Sequence, residues 1–194
     1  MKKIVFIIIG LVVLFAVVSG CNSYNSLVKL DVATQTQWSN VETQYQRRSD
    51  LIPNLVNTVK GAAKFEQSTL TAVIEARASA SKITIDPNKL NEENMQQYQA
   101  AQGQITQALG KLMVLTENYP ELKATQQFSD LSAQLEGTEN RITVARKDFN
   151  DAVQEFNTKV RSFPSNIMAG MFGFSPKAAF KADAGAENAP KVEF

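Results

Sequence analysis

The 194-residue chain has no histidine and a single cysteine, and these two shortages exclude much chemistry. Without imidazole there is no Ser-His-Asp or Cys-His nucleophile, no histidine general base and no histidine-containing zinc site. One thiol can neither close an internal disulfide nor build a thiolate cage. A surplus of one charge is missing too. The 20 Lys+Arg stand against 19 Asp+Glu, whereas a nucleic-acid surface needs a basic excess on one face. No glycine-rich phosphate loop occurs, since Gly170 and Gly173 sit in an apolar segment near the C-terminus. The acidic pairs, Glu92-Glu93 and Glu117 with Glu121, fall at expected helix starts or turns, where carboxylates favour the helix dipole. The composition therefore predicts no catalytic residue, no metal, no cofactor and no nucleic-acid partner.

What is present begins at the N-terminus. Met1, Lys2 and Lys3 make a short basic start, and Ile4 to Val18 is an unbroken apolar run of fifteen residues, one of them glycine. That length suits the apolar region of a signal peptide and is short of a bilayer span of about 20 residues. Val18-Ser19-Gly20-Cys21 then resembles the lipobox of bacterial lipoproteins. The resemblance implies a signal peptide over 1–20, cleavage between Gly20 and Cys21, and a diacylglycerol on the Cys21 sulfur, so that membrane lipid is the first partner. The alternative is an uncleaved anchor from Ile4 to about Cys21 that continues into the first helix. In both cases Lys2 and Lys3 stay cytoplasmic and the remainder is exported, which puts the domain at the bacterial cell membrane, on its extracytoplasmic side. Of the 20 basic residues, 18 then remain outside the leader against 19 acidic ones, so attachment rests on Cys21 or the segment before it.

The remainder has helical periodicity. Leu27, Leu30, Thr34, Trp38, Val41, Tyr45, Ile52, Leu55, Val59 and Ala62 recur at steps of three and four, with one step of seven across Arg48. Phe128, Leu131, Leu135, Thr138, Ile142, Ala145, Phe149, Val153, Phe156 and Val160 form a second, longer stripe. Turns are expected at Ile85-Asp86-Pro87-Asn88 and Asn118-Tyr119-Pro120-Glu121, with Pro120 at a first helical position. A kink is expected at Pro53 and a reversal near 61–64, where Gly61 could adopt the left-handed conformation that ends a helix. The fold class is thus all-α. Helices at roughly 24–60, 64–82, 91–117 and 121–162 predict an antiparallel up-and-down four-helix bundle with long coiled-coil-like helices. The apolar segment Ser165–Phe174 is expected to cover one end of the bundle, the alternative being that it binds a partner. The folded domain is assigned to 21–180, and 181–194 to a disordered tail.

Several blocks, in order, resemble the LemA family: Tyr24 to Val28, Trp38 to Val41, Arg47 to Val56, Thr58 to Gly61, Glu117 to Ala124, Leu135 to Ile142, Ala145-Arg146, Phe149-Asn150 and Phe163 to Asn166. The resemblance implies a membrane-attached helical bundle without a settled activity, and a TPM-domain membrane protein as a possible envelope partner. Phe65-Glu66 stands where relatives commonly have His-Glu. Within these blocks Arg47, Arg48, Asp50 and Asn54 on the first helix, and Glu136, Glu139, Asn140 and Arg141 on the last, form a candidate polar site. Either Arg47 or Arg48 pairs with Glu136 or Glu139 to fix helix register, or the group recognises an anionic ligand through a guanidinium fork. Gly137 would permit close helix approach. The Gln-rich stretch, including Gln99, Gln102 and Gln107, reads as a solvated helix face. The function expected is a non-catalytic scaffold or interaction module of the envelope; the alternative is a small-ligand or lipid-binding bundle around Arg47, Arg48 and Glu139.

Overall fold

The computed structural model describes residues 2–61 and 66–182. It is all-helical among those residues: α1 (Lys2–Lys60), α2 (Gln67–Ala80), α3 (Glu92–Thr116), α4 (Pro120–Lys123), α5 (Gln126–Arg161) and α6 (Ser165–Phe172). Ala62 and Phe65 lie outside the described residues, as does the expected tail from residue 183 onward.

α1 begins at Lys2 rather than near 24, because no helix breaker separates the apolar run from the first stripe. It passes through Pro53 to Lys60. The missing proline N–H leaves the Ser49 carbonyl without its helical partner, and Arg77 Nε of α2 donates to it at 2.8 Å. Gly61 does not take the left-handed conformation; that role falls to Gly173, at φ 77°, which closes α6 while the Phe174 N–H donates to the Ala169 carbonyl at 2.9 Å. The helix expected over 121–162 is two. α4 ends after one turn, and Thr125 caps α5 by accepting the Phe128 N–H. Asn91 opens α3 in a reciprocal capping box with Asn94.

All ten residues of the last stripe are buried in α5, and Leu27, Thr34, Trp38, Val41, Tyr45, Ile52, Leu55 and Val59 are buried in α1. Antiparallel contact between the two stripes follows from their pairings: Phe156 packs near Leu27 and Phe149 against Trp38, and Glu139 meets Arg48. α3 runs with α1, since Tyr98 meets Trp38 and Gln102 meets Arg48. The far end is filled by Ile52, Val59, Leu70, Val73, Leu112 and Leu131. The middle holds Trp38, Tyr45, Tyr98, Phe149 and Phe180, and the base holds Leu27, Phe156, Val160 and Ala169.

Beyond Gly173 an extended strap runs back along α5. Asn157 donates to the Lys177 carbonyl and accepts its N–H, each at 2.8 Å, and Asn150 does the same for Phe180 at 3.1 and 2.9 Å. Lys177 Nζ reaches Asp31 at 2.7 Å, tying the strap to α1. α6 covers the base only in part. Ser165 and Ala169 are buried, but Ile167, Met171 and Phe172 stay exposed, because an eight-residue helix buries one face and these residues lie off it.

Candidate functional site

The neighbouring arginines of α1 point in different directions, since successive helical residues are about 100° apart. Arg48 is buried and Arg47 exposed. Arg48 Nη1 donates to Thr106 Oγ1 at 2.8 Å and to Glu139 Oε2 at 2.9 Å. Its Nη2 donates to both the carbonyl and the Oε1 of Gln102, at 3.1 and 2.8 Å. The guanidinium also sits over the Tyr45 ring, 5.1 Å from its centroid. One side chain thus links α1, α3 and α5. Its Glu139 partner is 45% exposed, so half of the ion pair remains in contact with solvent.

The rest of the predicted cluster is dispersed. Glu136, Asn140 and Arg141 are exposed on α5. Arg47, Asp50 and Asn54 line a shallow groove of about 740 Å³ on the outside of α1, together with Glu42. Partial burial pushes the Glu42 carboxyl above its ordinary range, with the Trp38 indole acting against the shift. Gly137 does not mediate close approach, because a Cβ there would meet nothing within 4 Å.

The sequence reading missed Gln102 and Thr106. Gln102 is buried, a correction to the solvated face expected for the Gln-rich stretch. The available signal was its place three residues before the apolar Ile105 and four after Tyr98, which puts it on the inward stripe of α3. Gln99, Gln107, Glu139, Arg146 and Lys181 border an open groove of about 700 Å³ beside the Arg48 cluster. Burial raises the Tyr98 phenol well above its ordinary value, so it stays protonated.

At the base, Cys21 is exposed and adjoins Gly20 in an apolar groove of about 620 Å³ that includes Val17, Tyr24, Met168 and Phe172. Most of the apolar side chains before it, among them Phe6, Leu11, Leu14, Phe15 and Val18, stand more than half exposed. Among the described residues no helix is long and apolar enough to cross a membrane, and no three His, Cys, Asp or Glu side chains are grouped to hold a metal ion.

Comparison with known proteins finds similar sequences in bacteria. Magnetosome protein MamQ 2 of Paramagnetospirillum magneticum is 27% identical over 179 residues, covering 81% of this chain and 64% of that protein. Magnetosome protein MamQ of Magnetospirillum gryphiswaldense is 26% identical over 172 residues, covering 78% and 62%. Protein LemA of Metamycoplasma hominis is 25% identical over 158 residues, covering 81% and 68%. The chain therefore spans less than two thirds of the length of the two magnetosome proteins. The LemA family model matches residues 37–194, from the residue before Trp38 within α1 through the Arg48 cluster and the Asn150 and Asn157 clamps. The chain belongs to the LemA family.

Proposed function

We propose that this chain is a lipid-anchored, non-catalytic scaffold or interaction module of the bacterial cell envelope. Its family and the magnetosome relatives suggest a membrane-associated helical protein. The finer reading takes residues 1–20 as a lipoprotein signal peptide, Cys21 as the acylated residue, and 21–180 as an antiparallel four-helix bundle on the extracytoplasmic side. The exposed apolar run ending at an exposed Cys21 supports the attachment.

The observation that carries the scaffold role is the engagement of both terminal nitrogens of Arg48 inside the chain, its buried Nε alone making no hydrogen bond. Both terminal nitrogens donate to groups of the same chain, so this interior charge holds helices in register instead of waiting for a ligand. Arg47, Glu136, Asn140 and Arg141 are then outward-facing recognition residues for an envelope protein, a TPM-domain membrane protein being the partner to try first. A second reading, a small polar ligand in the groove beside Glu139, Arg146 and Lys181, is favoured by the volume of that groove.

Two measurements test the proposal. Mass spectrometry of the native protein is expected to find no residues 1–20 and an acylated N-terminal Cys21, with labelling lost and the leader retained in Cys21→Ser. In-cell photo-crosslinking from positions 47 and 141 is expected to give discrete protein adducts. An unmodified leader on the native protein refutes the anchor. Adducts absent at both positions refute the interaction role and leave the ligand reading.

A further inference from the structure

The base of the helical body carries apolar surface in a pattern that a water-facing end would not need. α6 turns Ser165 and Ala169 inward, while Ile167 and Met171, 54% and 70% exposed, lie on its far side. Phe172 stands at its edge, and Phe163, 82% exposed, immediately precedes it. Isolated exposed apolar residues are ordinary, but a contiguous group marks a contact surface.

Position identifies the contact. The Phe172 ring is centred 4.6 Å from that of Tyr24. A Cβ on Gly20 would come within 2.9 Å of Met168 Cε, so the two helices approach closely where the apolar run ends. Cys21 lines the same apolar groove. The exposed side of α6 therefore lies beside Cys21 and Tyr24, where the acyl chains of the proposed anchor enter the bilayer once residues 1–20 are removed. Charge points the same way: residues 21–30 and 156–176, which build this end after cleavage, contain Lys29, Lys159 and Arg161 and no acidic side chain, the exposed Glu155 being the next acid on α5. Asp31, the first acid beyond them on α1, is paired with Lys177.

The geometry points to α6 and Phe163 as a second lipid contact, resting on the membrane attachment proposed above. The helix lies in the boundary between headgroups and acyl chains, with Phe163, Ile167, Met171 and Phe172 directed into the bilayer. Lys29, Lys159 and Arg161 sit at the level of anionic headgroups. A single anchor at residue 21 would leave the body free to swivel. A second contact from another helix fixes its tilt, so that α1 carries its Lys60 end roughly 60 Å from the surface at about 1.5 Å per residue.

Tryptophan fluorescence tests this, because the single native tryptophan, Trp38, is buried. Met171→Trp and, as a control on the exposed middle of α5, Val144→Trp are made in the full chain. Each is purified from membranes and reconstituted in phosphatidylcholine–phosphatidylglycerol vesicles with brominated acyl chains. We expect both variants to float with the vesicles, with bromine quenching at least about half of the emission added at 171 and little of that added at 144. Flotation with equal, weak quenching at both positions overturns the lipid contact and leaves the anchor standing. Failure to float overturns the attachment and this contact together. Shielding of the 171 indole without lipid, accompanied by a dimeric mass, assigns the surface to a second copy and also overturns it.

Discussion

Arg77 of α2 satisfies the Ser49 carbonyl of α1, with Nε 2.8 Å from the oxygen that Pro53, four residues on, has no N–H to meet. A proline in mid-helix is thereby tied to a residue of the next helix. Arg77→Ala is expected to destabilise the protein by about 1–2 kcal/mol, toward the low end for a stranded polar group because this site is only partly buried. In a Pro53→Ala background the restored N–H meets Ser49, and the effect of Arg77→Ala falls below about 1 kcal/mol. Urea unfolding of the four proteins in this cycle measures the coupling; equal effects of Arg77→Ala in both backgrounds would refute it.

The adjacent arginines are expected to separate in the same measurement. Arg48→Met strands Gln102 and Thr106 and unpairs Glu139, at a cost of about 3 kcal/mol. Arg47→Met, at an exposed position, changes stability by less than about 0.5 kcal/mol. Glu139→Gln falls between them, because half of that side chain already faces water.

Gly137 sits inside α5 with space around it. Gly137→Ala is expected to raise stability by about 1 kcal/mol through helix propensity alone. A loss of stability would show that the position is held open for a contact made with another molecule.

Glu42 gives stability a pH dependence of known sign. Burial holds its folded pKa above the ordinary 4.5, so in that window the folded chain keeps a proton that the unfolded chain has released. Its contribution is fully present below 4.5 and is lost as pH rises through the folded value. Glu42→Gln is therefore expected to be more stable than the parent at neutral pH, with the difference closing in acid. Denaturation curves at several pH values check the direction.

Much of α5 is visible in one dimension. Its ten buried positions follow steps of three and four because a single helix buries one face along its whole length. The capping of α3 by Asn91 and the break at Thr125 were less visible, since such residues also suit ordinary loops. Residue type does not distinguish Arg47 from Arg48, but spacing does: Arg48 falls three residues after Tyr45 and four before Ile52, on the stripe itself, and Arg47 does not. What α3 offered opposite Arg48 was not visible. Gln102 looked like solvent-facing glutamine for the same reason.

The order of residues alone determined an apolar run from Ile4 to Val18 shortly before the lone Cys21, a composition without imidazole, and helices whose apolar stripes must meet. These follow from local periodicity and from residue types, which need no knowledge of neighbours. Tertiary structure decided that Arg48 joins three helices, that Arg77 completes the proline turn, and that α6 turns apolar residues outward beside Cys21. Each of these depends on groups distant in sequence meeting at hydrogen-bond or van der Waals distance, and only the packed chain fixes those distances.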